Sequence, residues 1–537
     1  MPDVSWTEKF RTLSAAGLIL QASSREQIDK LSDLESLIKA ANSSGITLLN
    51  EQTMSELLSI ISQKEGSKGD KKKYSSQQTF SVENDGKIFG RQIAPVKENI
   101  NSEQIPNDFI SSKQLENLSV DARDIATEIE INFDVTGNSV TEGKMKDMTA
   151  YFGSRLKQIR EMMISHNALP RLPIRNSHAW KGRNRYNSQE YEITLVGLAS
   201  EVKWTRTGKL KFTVEDETAE IDCILPIPSD AEPLHPSLDG LMDDEIVGVS
   251  GFFISGGRDA PLFVTNIHKP PLGFHSKNSA GLENAVCAAF LSDIHLGSKT
   301  FLSKQWDKMI KWFNNDDLAR KIKYFVLSGD GVDGVGIYPG QEKHLAITDL
   351  YKQYSELGKK LEELPDWVEV IMLPGNHDAV RPAEPQPALD PEIQQDYSNT
   401  TFTGNPCDFS LNGVRILGYH GKSIDDFVAT LRSVSYSKPE MAMRAMLERR
   451  HLAPSWGGKT PISPEPEDRM VIPKIPDIFV TGHVHGHFVE DYKGTLMVHS
   501  STWQDQTDFQ MMLGFKPKPC ILTVVNLNSF STTSIHF

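Results

Sequence analysis

The chain has 537 residues, more than the roughly 300 at which a single hydrophobic core stops growing, so we expect two or three domains. Its hydrophobic fraction of 38% and charged fraction of 24% are typical of globular proteins and exclude a chain that is disordered throughout. A formal charge of -14, from 57 basic and 71 acidic residues, excludes coating of nucleic acid by bulk charge, but it allows a local basic groove.

The cysteines and the N-terminal residues indicate in which cellular compartment the protein works. Four cysteines lie far apart with no CxxC pair, which fits a reducing compartment and disfavours a thiolate metal site. The first residues, MPDVSWTEKF, do not resemble a signal peptide, and no run of about 18 apolar residues occurs. We therefore expect a cytoplasmic protein with no membrane partner.

The first 121 residues divide by composition into two parts. Residues 1–62 carry apolar side chains at helical spacing, such as Leu31, Leu34 and Ile38, which predicts a small helical N-terminal domain. The pattern leaves open whether that domain docks a partner or is only a folded cap. Residues 63–121 are rich in Ser, Lys, Asn, Gln and Glu without periodicity, which predicts a flexible polar linker.

The next two segments are a connector and a barrel. We assign 122–190 to a connector with a basic helix, because residues 151–190 hold many basic residues interleaved with aromatic ones. This pattern suits contacts with a single nucleic-acid strand, and it suits equally a basic helix packed on an acidic domain. Residues 191–270 hold five short apolar segments separated by Gly, Asp or Pro, which favours an OB-fold barrel over a β-sandwich.

The C-terminal segment, 283–537, alternates buried strands with helical stretches such as 342–364, and each strand is followed by His, Asp or Asn. The polar groups are Asp293-Ile294-His295, Gly329-Asp330, Gly375-Asn376-His377-Asp378, Gly418-Tyr419-His420-Gly421 and Gly482-His483-Val484-His485. Because strand ends converge at one edge of a sheet, this order predicts a single site. The candidate metal ligands are Asp293, His295, Asp330, Asn376, His420, His483 and His485.

The donor set indicates the kind of metal. Side chains two residues apart on an extended segment point the same way, so Asp293 and His295 can hold one ion together, as can His483 and His485. Asp330 has two carboxylate oxygens and can bridge two cations. Mixed imidazole and carboxylate donors suit Mn, Fe, Zn or Co better than Mg or Ca. We therefore expect two divalent transition-metal ions, with Mn favoured, that activate water for in-line attack on a phosphoester.

The motif order DxH, GD, GNHD, H and GHxH resembles the calcineurin-like metallophosphoesterase superfamily. The resemblance implies one metal held by Asp293, His295, Asp330 and His485, and a second held by Asp330, Asn376, His420 and His483. It also implies that His377 protonates or stabilises the leaving oxygen. Asp333 is a further catalytic candidate that would orient this histidine or a water, although capping the following turn is an equal alternative. The implied fold is a multidomain α+β chain: a small helical domain, an OB-like barrel and an α/β phosphoesterase domain with central sheets flanked by helices.

Longer runs narrow the family. Protein phosphatases of the superfamily have arginine in GDxxDRG where this chain has Gly334, which disfavours that class. The runs SGDGVDGVGIYPGQ (328–341), PGNHDAVRPAEPQPAL (374–389), RHLAP (450–454) and STWQDQTDFQ (501–510) are similar to the small subunit of archaeal family-D DNA polymerase. That resemblance implies a 3′-5′ proofreading exonuclease acting on single-stranded or mismatched DNA ends, together with a large polymerising subunit and, through the holoenzyme, the sliding clamp. The run MVHSSTWQ departs from the family, which would have an asparagine near His499.

Two other classes of function stay open at this stage. Small subunits of eukaryotic replicative polymerases share the barrel and phosphoesterase architecture but have lost metal ligands, so a non-catalytic scaffold is the main alternative. A free-standing repair nuclease or phosphodiesterase is the other. We rank both lower, because every motif position is filled here and the polymerase-like runs are long.

Overall fold

The structure is a computed structural model that describes residues 121–167, 169–170, 172–177, 192–226, 240–253, 259–281, 286–512 and 515–537, with single positions and short runs between residues 9 and 57. The chain forms two compact units, Met1–Pro106 and Asn107–Phe537. The five sequence-based domain bounds divide the chain more finely, and they stay a prediction.

In the first unit the described residues include a helical run at 36–39 and two short strands. These strands, β1 (Ile19–Leu20) and β2 (Leu48–Leu49), pair in parallel, which the helical spacing did not predict. Single positions such as Leu13, Ile28 and Met54 are also helical, and the other residues of the predicted helical domain lie outside the described ones, as does the predicted linker 63–121 except for Asp121.

The described part of the second unit starts at Asp121 and contains a 3-10 turn, Ala122–Asp124, then β3 (Ile129–Phe133), α1 (Met145–Asn167) and α2 (Ile174–Ser177). Helix α1 packs its apolar side, including Ile159 and Met163, against barrel residues. Its arginines Arg155 and Arg160 are paired with Asp468 and Glu217. These pairs favour the packing interpretation of the basic stretch, most of whose remaining basic residues lie outside the described ranges.

Five strands then form a closed barrel in the order β4-β5-β6-β8-β7, with β6 and β8 parallel and β4 returning to β7. The strands are β4 (Ile193–Trp204), β5 (Leu210–Glu215), β6 (Glu220–Leu225), β7 (Ile246–Phe253) and β8 (Leu262–His268). Alternate side chains such as Leu195, Phe212 and Val249 fill the interior, because successive residues of a strand face opposite sides. The predicted OB-like barrel is confirmed, and the sandwich alternative is wrong for this segment.

The remaining chain supplies two six-stranded sheets. Its strands are β9 (Cys287–Leu291), β10 (Ile322–Ser328), β11 (Glu369–Leu373), β12 (Thr400–Phe402), β13 (Cys407–Leu411), β14 (Val414–Gly418), β15 (Ile478–Thr481), β16 (His487–Tyr492), β17 (Thr495–Ser500), β18 (Ile521–Asn526) and β19 (Thr532–His536). The first sheet has the order β12-β11-β10-β9-β18-β19, and the second has the order β16-β17-β15-β14-β13-β3. The short strand β3, which precedes the barrel, thus completes the edge of the second sheet.

The described residues of this segment form six helices, of which the four longest cover the outer faces of the sheets. The six are α3 (Ser303–Phe313), α4 (Leu350–Leu361), α5 (Pro391–Gln394), α6 (Ile424–Thr430), α7 (Pro439–Arg449) and α8 (Asp508–Met512), with 3-10 turns at Ala319–Lys321 and Gln341–Lys343. The two sheets share a core that contains Phe290, Val326 and Phe409, while α3 and α4 pack on the first sheet and α6 and α7 on the second. The predicted multidomain α+β fold is confirmed. Among the described residues, no helix is long and apolar enough to cross a membrane.

One helix is shorter than its apolar spacing predicts. The pattern at 342–364 predicted a single helix, but α4 begins only at Leu350, where the Asp349 side chain accepts a hydrogen bond from the Lys352 amide. The preceding residues form the 3-10 turn Gln341–Lys343 and a loop, and Gln341 donates its side-chain amide to the Asp333 carbonyl 2.8 Å away. Contact with the candidate site therefore overrides helical propensity there.

Candidate metal centre at the strand ends

The candidate ligands lie just beyond the carboxyl ends of five strands. Strands β9, β10 and β11 run parallel in one sheet, and β14 and β15 run parallel in the other. Each ends two or three residues before a candidate ligand, because Asp293, Asp330, Asn376, His420 and His483 follow these strands in turn. The strand ends of both sheets therefore meet in one place, as expected for ligand sites of α/β folds.

The first group consists of Asp293, His295 and His485, whose ligand atoms lie within 4.8 Å of one another. The Nε2 atoms of the two histidines are 3.1 Å apart. Asp293 Oδ1 lies 3.3 Å from His485 Nε2 and 3.7 Å from His295 Nε2, and it is buried without a hydrogen-bond partner. Two imidazole nitrogens and an unsatisfied carboxylate oxygen thus face the same point.

The second group lies beside the first and contains Asp293, Asp330 and His420. His420 Nε2 is 3.3 Å from Asp330 Oδ2 and 3.1 Å from Asn376 Oδ1. The same Asp330 oxygen is 3.8 Å from His295 Nε2. Asp330 therefore lies between the two groups, in the position that a shared ligand requires.

His483 is less directly placed than the other predicted ligands. Its backbone amide donates to Asp293 Oδ2 at 2.9 Å, and its Nε2 lies 3.3 Å from Asp425 Oδ2. Its ring centroid is 5.3 Å from that of His420. Because Asp425 occupies Nε2, only Nδ1 of His483 is left to bind an ion.

Partners behind the cluster fix the rings of the other histidines. Nδ1 of His295 is 3.0 Å from Asp333 Oδ1, and Nδ1 of His420 is 2.9 Å from the Ser328 carbonyl oxygen. The side-chain amide of Gln510 lies 2.8 Å from Nδ1 of His485. Each ring therefore directs its Nε2 toward the centre, which is the usual arrangement of metal-ligating histidines.

The backbone of the cluster is strained. Asp293, His295, Asp330, His483 and His485 all have φ between 50° and 75°, in the left-handed region. This conformation costs about 1–2 kcal/mol for a residue with a side chain and persists only where its surroundings enforce it. Five such residues in one cluster indicate that ligand placement, rather than stability, decides the local conformation.

Two motif glycines allow the ligand loops to approach closely. A Cβ at Gly375 would overlap the Asp330 carboxylate, and a Cβ at Gly482 would overlap Ser292 and Asp293. Only glycine leaves room for these contacts. The glycines of GNHD and GHxH are therefore part of the site's geometry.

His377 lies at the open side of the cluster. Its Nδ1 is 2.8 Å from the Asp333 carbonyl oxygen, and its backbone amide donates to Asp330 Oδ1 at 2.8 Å. Its side chain is 18% exposed, compared with 3% for His295 and 0% for His420. The ring is thus fixed through Nδ1, which leaves Nε2 available to a bound molecule.

The electrostatics of the cluster favour a cation. Burial opposes the charged form of His295, yet its contacts with Asp293 and Asp333 raise its pKa to about 10. His420 is likewise buried, and Asp330 raises its pKa to about 9. Burial raises the pKa values of Asp293 and Asp330, but the neighbouring histidines hold both below the ordinary value. Buried carboxylates require such positive partners, and a metal ion serves the same purpose.

Sequence reasoning missed three side chains that support the site. Asp378 accepts hydrogen bonds from the Gly375 and Gly331 amides, at 2.8 Å and 3.3 Å, and so braces two ligand loops; its place in GNHD was the available signal. Gln510 is the last residue of STWQDQTDFQ (501–510), a run that the sequence analysis used only as evidence of family resemblance. Asp425 lies in no motif that the sequence analysis could have recognised. Its contact with His483 is visible only in the three-dimensional structure.

Two further histidines lie outside the groups of candidate ligands. His487 Nε2 is 3.0 Å from the Thr523 hydroxyl. His499 is buried, stacks on Phe488 and has its Nδ1 2.9 Å from the Thr481 hydroxyl. Burial lowers the pKa of His499 to about 3, which keeps its ring neutral.

The residues present fit bound divalent metal. The unsatisfied Asp293 Oδ1 provides an oxygen donor, and the converging imidazole and carboxylate atoms make the mixed N and O set that transition metals prefer. A third possible group, His295, Asp333 and His377, overlaps the first through His295. We interpret Asp333 and His377 as partners of the centre, because Asp333 is already bonded to His295.

The chain is similar to known proteins over most of its length. Residues 288–490 match the model of the B-subunit family of DNA polymerases alpha and epsilon. The "DNA polymerase II small subunit" of Archaeoglobus fulgidus is 39% identical over 394 residues, which cover 72% of this chain and 76% of that protein. The "DNA polymerase II small subunit" of Methanocaldococcus jannaschii is 37% identical over 417 residues, covering 76% of this chain and 68% of that protein.

Among solved structures, one titled as a novel archaeal phosphodiesterase matches 47% of this chain and 100% of its own, with 12% identity and a TM-score of 0.25. So low a score carries no conclusion about this chain. The two relatives above each share more than a third of the aligned residues over more than two thirds of both proteins. The chain therefore belongs to the family of archaeal DNA polymerase II small subunits.

Proposed function

We propose that the chain is the 3′-5′ proofreading exonuclease subunit of a family-D replicative DNA polymerase and hydrolyses DNA phosphodiester bonds by a two-metal mechanism. The observation that carries the proposal is the convergence of Asp293, Asp330 and the ring nitrogens of three histidines in one buried cluster, with Asp293 Oδ1 unsatisfied. Membership of a polymerase small-subunit family makes a DNA strand the natural substrate.

Two ligand sets would share Asp330. One comprises Asp293, His295, Asp330 and His485, and the other comprises Asp330, Asn376, His420 and His483. When bound, the two divalent ions supply an activated water at neutral pH and offset the negative charge that develops on phosphorus. The mixed donors favour Mn, with Fe, Zn and Co also compatible. Asp330 Oδ2 supports the sharing, since it lies near both His420 and His295.

His377 would protonate or stabilise the leaving 3′ oxygen. Its Nδ1 is held by the Asp333 carbonyl oxygen, so a proton exchanged with the substrate would pass through Nε2. Burial lowers the pKa of His377, and the nearby Asp330 carboxylate opposes that shift. Because Nδ1 donates to a carbonyl oxygen, Nε2 would first have to take up a proton, which the negative charge of a bound phosphodiester would favour, before giving it to the leaving oxygen. Asp333 would position two rings, His295 through its carboxylate and His377 through its carbonyl.

The expected partners are the large polymerising subunit, the 3′ end of single-stranded or mismatched DNA and, through the holoenzyme, the sliding clamp. A small subunit that receives a frayed end from its partner needs little DNA affinity of its own. The net charge of -14 is compatible with this division of labour.

A non-catalytic scaffold is the second candidate. The match to the alpha and epsilon polymerase family favours it, because small subunits of eukaryotic replicative polymerases resemble this chain in architecture and have lost ligands. The filled ligand positions, with five strained residues among them, argue for catalysis instead. A scaffold would have no reason to keep the strain.

The test uses the purified chain in complex with its large subunit, on DNA with a mismatched, labelled 3′ end. We expect Mn-dependent release of 3′ nucleotides that EDTA stops. Asp330→Asn should abolish it, because the variant loses the charge that both ligand sets share. Asp333→Asn should reduce metal affinity about 10- to 100-fold, as removal of a carboxylate behind a ligating histidine commonly does.

The matched control is Asp222→Asn, which changes an exposed carboxylate of the barrel that pairs with Lys211. It should leave nuclease activity unchanged. Wild-type nuclease rates in a folded Asp330→Asn variant would overturn the assignment of the site. A folded wild-type complex that binds metal but releases no nucleotide would favour the scaffold.

A further inference from the structure

Among the described residues, five of the eleven large exposed apolar side chains lie on two segments beside the metal centre. Val335, Ile337 and Tyr338 lie between β10 and α4 and are 44%, 39% and 40% exposed. Met511 and Met512 lie on α8 and are 52% and 85% exposed. Apolar patches rimmed by polar residues commonly mark interaction or ligand-binding sites.

The first segment is fixed directly against the catalytic side of the centre. Asp333, at its start, bonds to His295 and holds the His377 ring through its carbonyl oxygen. A Cβ at Gly334 would overlap the His377 carbonyl oxygen and lie 3.0 Å from the Ile337 side chain. Gly334 therefore lies between the His377 backbone and the Ile337 side chain, and the neighbouring Tyr338 hydroxyl lies 3.0 Å from His344 Nδ1.

The second segment is fixed to the other side of the same centre. Gln510, immediately before Met511, contacts Nδ1 of His485, and the Lys518 amide donates to the His485 carbonyl oxygen at 2.9 Å. His295 lies between the segments, bonded to Asp333 on one side and 3.1 Å from His485 on the other. The apolar side chains therefore flank the metal centre from two directions.

We propose that these two segments form a base-binding cleft, in which the Tyr338 ring stacks on the unpaired 3′-terminal base and the Ile337 and Met511 side chains border it. The assignment of a DNA strand rests on the proposed function. Base faces are covered by their neighbours inside a duplex, so an apolar cleft at the scissile bond selects ends that have frayed. Aromatic stacking suits any base, which a proofreading site needs.

The charges beside the cleft suit a nucleic acid better than an apolar protein surface. Lys516 and Lys518 are exposed and follow α8 on the His485 side, where they can meet backbone phosphates. The Lys518 amine also donates to the His487 carbonyl oxygen at 3.1 Å, which holds it near the centre. In the proposed binding mode these lysines would contact phosphates of the strand on the His485 side of the centre.

The test measures binding rather than cleavage. The full-length chain carrying His377→Ala is loaded with Mn and titrated with a single-stranded oligonucleotide that ends in 3′-2-aminopurine, whose fluorescence falls on stacking. We expect quenching on binding, and no quenching when the same base is paired in a duplex. Adding Tyr338→Ala should remove the quenching and weaken binding roughly 5- to 150-fold, the range for loss of one stacked base. Tyr338→Phe should restore both.

The control is Phe274→Ala, which removes an 85% exposed aromatic side chain near the β16–β17 turn, about 20 Å of strand away from the site end of β16. It should bind as the parent does. Unchanged quenching and affinity after Tyr338→Ala would overturn the proposal, as would a loss of binding to the large subunit with DNA binding intact. Quenching by a wild-type chain that cleaves no DNA would support the cleft and refute only the proposed exonuclease.

Discussion

The barrel and the metal centre use buried residues in opposite ways. Within the five described barrel strands Ser250 is the one buried polar side chain, and the interior is filled by residues such as Leu195, Phe212 and Val214. At the strand ends of the two sheets, by contrast, Asp293, Asp330 and three histidines share a buried cluster. One region gains stability from apolar burial, whereas the other holds charges where burial alone would expel them.

Backbone conformation shows the same contrast. In the described barrel, the residues other than glycine with left-handed φ are Glu201, at a bulge of β4, and Asp244, just before β7. The metal centre has five, all candidate ligands. Left-handed residues occur singly elsewhere in the described chain, so it is the grouping of five at the candidate ligands that indicates a functional cause. Changes in the centre should therefore affect chemistry, and changes in the barrel should affect folding.

The largest effect expected from this contrast is that of His377→Ala on rate. If His377 transfers a proton to the leaving oxygen as proposed, its removal should lower kcat about 10²- to 10⁴-fold. Bound metal should not change, since His377 is not among the assigned ligands. Single-turnover nuclease assays with measurement of bound Mn separate these two quantities.

His166→Ala is the matched control, because His166 is an exposed histidine at the end of α1. It should retain the parent rate. Two results would contradict the claim that changes in the centre affect chemistry rather than folding. One is a parent-like rate for His377→Ala, and the other is unfolding of the chain as its main effect.

Phe212→Ala should show the converse behaviour. Phe212 is fully buried in the barrel, and Phe→Ala changes in a core cost about 3–5 kcal/mol of unfolding free energy. Nuclease rate per folded molecule should stay unchanged at a temperature where the variant is folded. Urea unfolding and nuclease assays on the same preparation measure both. Phe252→Ala, at a 36% exposed position of β7, should lose less stability, and equal losses for the two variants would contradict the account of the barrel core.

The smallest predicted effect concerns a polar cluster that joins the regions. Arg155 of α1 pairs with buried Asp468, and His451 Nε2 lies 2.9 Å from the same carboxylate. His451 Nδ1 accepts the Ala453 amide at 3.1 Å, so a second ring proton would face a donor. Burial and Arg155 lower the pKa of His451 to about 4.

Because the folded pKa of His451 lies below its unfolded value, its contribution to stability is present above pH 6.5 and is lost as the pH falls toward 4. Between pH 6.5 and 5 the unfolding free energy should fall by up to about 1.4 kcal/mol per pH unit from this group. His451→Gln should flatten that part of the curve, and His166→Gln should not. Parallel curves for wild type and His451→Gln would show that His451 is not held neutral by the fold.

Local pattern predicted most of the sheets. The five barrel segments and the strands before each motif have apolar character with clear punctuation, so hydrophobic burial fixes their state from local sequence. The start of α4 was missed, because the residues before Leu350 have helical spacing but are held in a loop by the Gln341–Asp333 contact. The β1–β2 pairing was missed as well, since two-residue strands leave no period to detect.

The sequence by itself determined which side chains could bind metal and which strand each of them follows. A residue that directly follows a buried parallel strand must lie at the carboxyl edge of the sheet. Only the tertiary structure decided how they are grouped, with Asp330 between His420 and His295, Asp425 on His483 and Gln510 on His485. It also placed Asp333 against His295 and Gln510 against His485, which brings the segments of Tyr338 and Met511 to the centre. Such contacts join residues far apart in the chain, and they depend on how the two sheets pack rather than on any local propensity.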